Sequence, residues 1–180
     1  EKVNGVECKQ YIVATPKVHY PFDNNEYFVV DPLKTSRVIA YTKLDGTNIL
    51  MFKYHDANGK EYISYKTRRM PFIGDDFKPM WDMCLSMYPE IPELRERNGM
   101  NISFELFGQM NKHGISYDVK IDTRVLFGRS DDGKIHPPCE LDCGTVGSAA
   151  LVSEWSGECD YRSEYAAQEK WLTDQFKLID

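Results

Sequence analysis

The sequence predicts an α+β fold in which antiparallel sheets are interleaved with helices. Three observations support this class. Short strand-like runs follow one another across the turn signals Asp45-Gly46 and Asn58-Gly59, as in an antiparallel meander. From Asp75 onward the spacing of apolar residues changes to that of a helix. Strand character returns at Met100.

The first half of the chain is expected to be mostly extended. Residues 11–31 contain short apolar runs broken by prolines and asparagines, and predict irregular structure or short strands. Two strand-like runs, Arg37–Leu44 and Asn48–His55, flank the expected turn at Asp45-Gly46. A third run, Glu61–Thr67, follows across Asn58-Gly59, which is a strong hairpin signal.

The second half predicts two helices, two strands and a helical tail. Apolar residues at helical spacing indicate a first helix that stops near Pro89. They are Phe77, Met80, Cys84 and Met87. A short second helix is expected at Glu93–Asn98, because Gly99 suits its C-terminal cap. The other predicted elements are strands at Met100–Phe107 and Asp122–Gly128, and a helix between Ser163 and Asp180.

Length and composition predict one soluble domain, residues 1–180. The 180 residues suffice for one domain or for one that lacks a piece, and 42% hydrophobic residues support an ordinary core. No apolar run reaches membrane-spanning length. The first residues do not form a signal peptide, and the absence of an initial Met indicates a trimmed start. The expected location is therefore the cytoplasm.

The five cysteines favour free thiols in a reducing compartment. An odd number cannot pair completely within one chain, and the spacing gives no disulfide framework. One group of residues offers four metal ligands, namely His136, Cys139, Cys143 and Cys159. This group lacks the paired C-x-x-C spacing of structural zinc sites, so zinc is the less favoured interpretation.

The net charge of −6 argues against a protein that coats nucleic acid through bulk electrostatics. It still permits a local basic groove. The densest basic cluster is K-T-R-R, Lys66–Arg69. Further basic residues downstream are Lys112, His113, Lys120, Arg124 and Arg129. Taken singly, such residues are more often solvated surface charges.

Lys43 interrupts an apolar strand-like run two residues before Asp45-Gly46. Strand alternation would place Lys43 and Asp45 on one face. A free lysine, with a pKa near 10.4, is a poor nucleophile at neutral pH, and desolvation or a neighbouring metal cation makes it reactive. Asp45 would hold such a cation, and Gly46 would let a phosphate come close. On its own, however, K-x-D-G is more often an ordinary hairpin turn.

Lys43–Asn48, K-L-D-G-T-N, resembles motif I of the covalent nucleotidyltransferases, which are ATP-dependent DNA ligases, RNA ligases and mRNA capping enzymes. The ending T-N is closer to RNA ligases. Tyr65–Phe72 resembles the basic segment of phage-type RNA ligases, and Ser103–Gly108 resembles motif III. Arg124–Arg129 resembles motif IIIa, and Thr15–Tyr20 resembles the segment that leads into these domains. The order of these segments is that of the family.

The resemblance implies an ATP-grasp-like nucleotidyltransferase (adenylation) domain of a phage or viral ATP-dependent RNA ligase that acts in RNA repair. Lys43 would attack the α-phosphate of ATP, with Mg²⁺ or Mn²⁺ as cofactor, and form lysyl-AMP. The AMP would pass to an RNA 5′-phosphate, and an RNA 3′-hydroxyl would then displace it. The expected partner is therefore RNA with these two kinds of end.

The resemblance also implies roles for individual residues. The nucleotide-binding set comprises Thr42, Lys43, Asn48, Arg68, Glu105 and Phe127. Phe127 would stack on the adenine, Arg68 would pair with phosphate or ribose groups, and Asn48 would contact the nucleotide or the RNA 5′-phosphate. Asp45 and Glu105 would organise the divalent metal, partly through water. Arg69 lies one position from the family's arginine and is an alternative to Arg68.

The sequence departs from the family pattern at two points. An E-G-x-V-type strand and a later K-x-K-type pair are not found, which indicates either a degraded ligase fold or, as the favoured expectation, a fragment that is incomplete at its C-terminal end. Gly128 follows Phe127, where the family often has an acidic residue. Alternatives are a DNA ligase, an mRNA capping guanylyltransferase, or a catalytically degraded RNA-binding module. Taken singly, Phe127 also fits a core aromatic, Glu105 an outward strand residue, and Arg68 a surface cap.

Overall fold

The computed structural model of the protein describes residues 2–3, 6–7, 9–16, 37–156 and 170. The chain divides into two compact units. The first unit contains Glu1–Pro16 and Leu44–Ala149, and the second contains Lys17–Lys43 and Ala150–Asp180. The helix predicted between Ser163 and Asp180 lies, apart from Lys170, outside the described residues.

The first unit is built on a five-stranded antiparallel sheet with the strand order β5-β4-β6-β7-β8. The strands of the described residues are β1 (Lys2–Val3), β2 (Val6–Glu7), β3 (Arg37–Tyr41), β4 (Thr47–His55), β5 (Glu61–Thr67), β6 (Asn101–Phe107), β7 (Asp122–Arg129), β8 (Ile135–His136) and β9 (Leu151–Ser156). The predicted hairpin across Asn58-Gly59 is confirmed, because β4 pairs with β5 along seven positions from Ile49↔Thr67 to His55↔Glu61. The predicted strands at Met100–Phe107 and Asp122–Gly128 correspond to β6 and β7.

Two helices lie between β5 and β6, as predicted. They are α1 (Lys78–Met87) and α2 (Ile91–Asn98), and each has a proline in its first turn, where a missing N–H costs nothing. Gly99 ends α2 with φ 65°, a left-handed conformation that favours glycine. No helix in the described part of the chain has the length and apolar character needed to cross a membrane.

The helices cover one face of the sheet, which forms the core. Strand alternation turns every second residue of β4 and β6 towards the helices. Trp81 of α1 contacts Phe104 of β6 edge-on, with ring centroids 5.5 Å apart, and Tyr65 of β5 lies 5.2 Å from Trp81 on its other side. The remaining buried members of the core include Ile49, Met51, Cys84, Ile91, Leu94, Ile102, Leu106 and Val125.

One prediction about the strands was wrong. β3 does not form a hairpin with β4 across Asp45-Gly46, but pairs antiparallel with β9 in the second unit, from Arg37↔Ser156 to Tyr41↔Leu151. β3 also ends at Tyr41, so strand alternation does not extend to Lys43 and Asp45. The local sequence favoured an adjacent partner, but the strand's hydrogen bonds are satisfied by a segment more than a hundred residues later.

Candidate functional site

The strand register brings four residues into a row across the face of the sheet opposite the helices. Residues directly opposite each other on paired strands project to the same side. Leu50 on β4 pairs with Lys66 on β5 and with Ser103 on β6. Ser103 pairs in turn with Phe127 on β7. We call Lys66, Leu50, Ser103 and Phe127 the first row, and the face that carries it the site face.

A second row lies beside the first on the site face. Asn48 on β4 pairs with Glu105 on β6, and Glu105 pairs with Arg124 on β7. Adjacent rows on one face of a sheet are about 7 Å apart. Asn48, Glu105 and Phe127, which are distant in sequence, therefore lie within two neighbouring rows.

Glu105 is a buried carboxylate, with only 9% of the residue exposed. This burial separates it from an ordinary outward strand residue, because a carboxylate on a solvated face would remain in water. Its backbone carbonyl accepts a hydrogen bond from the Thr123 hydroxyl at 3.0 Å. The opposite residue, Arg124, donates to Asp122 at 2.7 Å and to the Tyr88 hydroxyl at 3.2 Å. The guanidinium of Arg124 is thus turned towards Tyr88, which packs against the helix-covered core, and Glu105 is the charged side chain of the second row on the site face.

Asn48 uses its side-chain amide inside the protein. Its Nδ2 donates to Ser103 Oγ at 2.7 Å and to the Phe104 carbonyl at 3.1 Å, while its Oδ1 accepts from Thr15 Oγ1 at 2.8 Å. Both amide hydrogens are therefore engaged. A phosphate oxygen is an acceptor, so a contact with it requires Asn48 to release one of these two bonds.

Residues 9–16 run along the site face and help to cover it. Besides the Thr15–Asn48 bond, Asn101 Nδ2 donates to the Val13 carbonyl at 3.4 Å. Gln10 hydrogen-bonds to both backbone groups of His55 at the far end of β4. Leu50 and Ser103 are accordingly buried although they face away from the helices. The predicted lead-in segment, Thr15–Tyr20, contacts the site through Thr15, and its residues 17–20 lie outside the described ones.

Phe127 is half-buried on the site face and does not belong to the helix-covered core. The next residue, Gly128, lies on the opposite side of β7, paired with Ile102. A Cβ there would overlap Met100 Sδ and lie 3.0 Å from Leu141 Cδ2. A side chain at this position would therefore require Met100 and Leu141 to move.

Gly46 is required by a close approach of two backbones. A Cβ at this position would overlap the carbonyl oxygen of Leu106 on β6. Its neighbour Thr47 is paired with that same Leu106. Gly46 is not among the described glycines with positive φ, so the reason for glycine is space and not a left-handed turn.

Asp45 is fixed by the exposed loop that joins β6 to β7. Its Oδ2 accepts a hydrogen bond from the Ile115 amide at 2.8 Å, and its own amide donates to the Tyr117 hydroxyl at 2.7 Å. Thr47 meets the same loop through Asn111 and through His113 Nε2, the latter at 3.3 Å. The D-G-T turn and this loop therefore form one hydrogen-bonded assembly.

Lys66 is a site-face residue to which the sequence assigned no individual role. Its Nζ donates to the Thr67 carbonyl at 2.7 Å, and partial burial lowers the pKa of its ammonium group. The sequence contained a signal for this placement. Alternation along β5 puts Lys66 on the side opposite Tyr65, which packs against the core. Arg68 and Arg69 follow the end of β5, and within the described part of the chain both are exposed and form no ion pair.

Lys43 and Thr42 lie at the end of the second unit's first segment, immediately before Leu44. The side chains of both residues are exposed. The Thr42 amide donates to the Ala150 carbonyl at 2.8 Å, which ties this end of the segment to the residue before β9. The Lys43 side chain is therefore open to solvent.

The acidic residues of the site suit a metal that arrives with a nucleotide. The described residues contain no group of three or more histidine, cysteine, aspartate or glutamate side chains arranged to hold a metal. Mg²⁺ usually takes one or two carboxylates, several waters and the phosphates of a substrate. The carboxylates of the site that could contribute to such a ligand set are Asp45, which has one oxygen open beyond its Ile115 bond, and the buried Glu105.

The alternative zinc ligands are engaged in local contacts. His136 Nδ1 lies 3.1 Å from Glu140 Oε2, and the Cys143 thiol points to the Pro138 and Leu141 carbonyls at 3.7 and 3.8 Å. Burial raises the pKa of the Cys143 thiol. Cys159 lies outside the described residues.

The chain is similar in fold to solved structures of an RNA ligase from Naegleria gruberi. One structure, an alanine variant of that ligase with ATP and Mn, matches with a TM-score of 0.52 and 13% identity over 73% of this chain and 41% of that chain. A second alanine variant, also with ATP and Mn, matches with a TM-score of 0.51 and 14% identity over 67% of this chain and 37% of that chain. This chain thus spans about two fifths of the ligase chains it matches. No protein-family model and no curated protein sequence matches it.

Proposed function

We propose that this chain is the adenylation part of an ATP-dependent RNA ligase, with residues 1–180 belonging to one adenylation domain. The observation that carries the proposal is the pair of rows on the site face. Motif-like segments far apart in sequence meet there, with Asn48 opposite Glu105 and Phe127 in the adjoining row. The similarity of the fold to RNA ligase structures with ATP and Mn supports it. The phage-type assignment depends on Tyr65–Phe72 and the T-N ending of motif I.

The proposed reaction has three steps. The neutral Lys43 amine attacks the α-phosphorus of ATP, forms a P–N bond and loses a proton, while the bond to pyrophosphate breaks. A 5′-phosphate oxygen of RNA then attacks the same phosphorus and breaks the P–N bond, which restores the lysine. Finally a 3′-hydroxyl attacks the RNA phosphate, and AMP leaves. Positioning and charge neutralisation dominate the catalysis of such transfers.

Each site residue then has a specific task. Phe127 stacks on adenine, and Lys66 and Arg68 neutralise phosphate oxygens at the end of β5. Glu105 accepts hydrogen bonds from the ribose and, with Asp45, holds a Mg²⁺ or Mn²⁺ ion. When bound with the nucleotide, that ion would supply positive charge that stabilises the phosphates and favours the neutral form of the Lys43 amine. Because Lys43 is exposed, the nearby charge and not burial has to make its amine reactive. Thr42 and Asn48 complete the nucleotide contacts.

Intact-mass spectrometry of the full-length protein incubated with ATP and Mg²⁺ tests the proposal. The expected result is a gain of one AMP, mapped by fragmentation to Lys43. Lys43→Ala is expected to show no gain. Lys78→Ala is the matched control, because Lys78 is an exposed lysine on α1 that pairs with Asp82 on the side away from the site.

Three outcomes would contradict the proposal. A label that is acquired from GTP and not from ATP would favour a capping guanylyltransferase. Transfer of AMP to DNA ends with no transfer to RNA ends would favour a DNA ligase. Absence of labelling in the unaltered protein would leave an RNA-binding module without this chemistry.

A further inference from the structure

Three aromatic side chains gather on the β4–β5 hairpin, on the site face. Tyr54 and Tyr62 are opposite each other in the register, and their rings stack with centroids 5.4 Å apart. Phe72, which follows β5, meets the edge of Tyr54 with centroids 6.4 Å apart. We call Tyr54, Tyr62 and Phe72 the aromatic patch. It lies four residues along β4 from Leu50 of the first row, a distance of about 13 Å in a strand.

The patch is open to solvent at its outer end. Phe72 is 55% exposed, and Met70 in the same turn is 54% exposed. The turn is held in place by the Ile73 amide, which donates to the Tyr65 carbonyl at 2.7 Å. A large apolar ring is thus kept at the surface on a fixed stretch of backbone, where burying it against a ligand would be favourable.

Positive charges lie at both ends of β5. Lys60 Nζ lies 5.2 Å from the centre of the Tyr62 ring, in a cation–π position. Arg68 and Arg69 lie between the end of β5 and Phe72. An anionic chain that crosses the hairpin would therefore meet cations on both sides of the aromatic patch.

The acidic residues of the same hairpin are engaged within the protein. Asp56 accepts hydrogen bonds from the Asn58 and Lys60 amides at 2.8 and 3.0 Å. These bonds, with the Lys60 amide contributing most, lower the pKa of Asp56. Glu61 pairs with Lys53 at 3.0 Å, on the helix side of the sheet. The Tyr62 hydroxyl also donates to Asp56 Oδ2 at 3.2 Å, so one carboxylate lies beside Lys60 at this end of the patch, and the cations available to an RNA phosphate are Lys60 and the exposed Arg68 and Arg69.

We propose that the aromatic patch binds single-stranded RNA, with bases stacked on Phe72 and Tyr54 and phosphates beside Lys60 and Arg69. Exposed rings interleaved with cations are the combination that holds unpaired nucleotides, since every base offers a π-face and every linkage a negative charge. The inference deepens the proposed function, on which it rests for RNA as the substrate. The patch would hold the strand whose end reaches the two rows.

Fluorescence anisotropy with a short fluorescent single-stranded RNA and the full-length protein tests this. Phe72→Leu keeps an apolar side chain but removes the ring, and is expected to weaken binding about five- to tenfold. Lys60→Gln is expected to reduce the slope of log affinity against log salt by about 0.7, as for one lost phosphate contact on a single strand. Ile135→Leu, at an exposed apolar position on β8, is the matched control and should leave both quantities unchanged.

Three results would overturn the inference. One is unchanged RNA affinity in Phe72→Leu. Another is that a duplex of the same RNA sequence binds as tightly as the single strand, with an affinity that Phe72→Leu does not change. That result would indicate contacts with the RNA backbone alone. The third is self-association of the protein, measured by sedimentation and lost in Phe72→Leu, with no binding of RNA. That result would assign the patch to a second copy of the chain.

The two proposals fail in distinguishable ways. Phe72 is not part of the nucleotide site, so Phe72→Leu should gain AMP on Lys43 as the unaltered protein does. Normal AMP labelling with Phe72-independent RNA binding would refute the aromatic patch alone. Absent labelling with Phe72-dependent RNA binding would refute the ligase chemistry and support the patch.

Discussion

The two faces of the five-stranded sheet differ in the side chains that β6 places on them. The helix face carries Phe104 and Ile102 from β6, which pack against α1 and α2 in an apolar core. The site face carries Ser103 and Glu105 from the same strand, and both are buried polar residues. Neighbouring positions of one strand therefore experience opposite environments.

This difference follows from strand alternation, and it separates stability from chemistry. Apolar burial on the helix face supplies the favourable free energy of folding. On the site face, polar groups are held by hydrogen bonds such as those of Asn48, which fix geometry but contribute little net stability. A substitution on the helix face is therefore expected to alter folding, and a substitution one residue away on the site face is expected to alter the proposed chemistry.

Phe104→Ala is expected to produce the largest effect. It removes a ring that is fully buried against Trp81 and leaves a cavity, which costs about 3–5 kcal/mol of unfolding free energy. Denaturant unfolding followed by tryptophan fluorescence measures this. The rate of AMP labelling per folded molecule should be nearly unchanged. Phe72→Ala, which removes an exposed ring, is the control and should shift stability by no more than about 0.5 kcal/mol.

Glu105→Gln tests the other face of the same strand. The substitution keeps the shape of the side chain and removes its charge, so the initial rate of AMP labelling is expected to fall about a hundredfold. The unfolding free energy should change by about 1 kcal/mol or less. A variant that lost more stability than activity would show that Glu105 is a structural residue, and the comparison of the two faces would not hold.

Gly46→Ala probes the point where the turn meets β6. The added Cβ overlaps the Leu106 carbonyl, so Thr47 and Leu106 have to move apart and about 1–3 kcal/mol of stability is lost. Asp45 is bonded to the loop through Ile115, and labelling should fall as well because the turn is displaced. Gly74→Ala is the control, since no atom lies within 4 Å of a Cβ at that position. Unchanged stability in Gly46→Ala would contradict the close approach.

Local sequence signals predicted the elements whose partners are near in the chain. The helix ending before Pro89, the cap at Gly99 and the hairpin at Asn58-Gly59 depend on neighbouring residues, and all are present. The partner of β3 could not be predicted in this way, because β9 lies more than a hundred residues later and nothing in Arg37–Tyr41 specifies it. The motif resemblance proposed the site residues, and the strand register then brought several of them into two rows.

Other features of the site could not be predicted from the sequence. The sequence predicts a turn glycine at Gly46. In the structure the position requires glycine for a different reason, because the Leu106 carbonyl occupies the space of a Cβ. The internal bonds of Asn48 join Thr15 and Ser103, which no spacing rule connects. The contact of Asp45 with Ile115 depends likewise on the path of a loop. Such contacts arise from tertiary packing, and local patterns do not contain them.

Tyr65→Phe is expected to have the smallest effect. It tests whether a buried hydroxyl on the helix face contributes to stability. Tyr65 contacts Trp81, but its buried hydroxyl has no hydrogen-bond partner among the described residues. Removal of an unsatisfied hydroxyl should leave stability unchanged or raise it by up to about 1 kcal/mol at neutral pH. Thermal unfolding monitored by circular dichroism measures the difference.

The same variant makes a prediction for alkaline pH. Burial raises the pKa of Tyr65 from 10.0 to about 12, so the unfolded chain releases this proton at lower pH than the folded protein does. The stability associated with the protonated hydroxyl is therefore complete below about pH 10 and is lost as the pH rises towards 12. Tyr65→Phe has no hydroxyl to titrate at this position. The difference between its unfolding free energy and that of the unaltered protein should therefore grow as the pH rises from about 10 towards 12. A constant difference between pH 8 and pH 11 would show that the hydroxyl titrates normally, and that even this face of the sheet admits water.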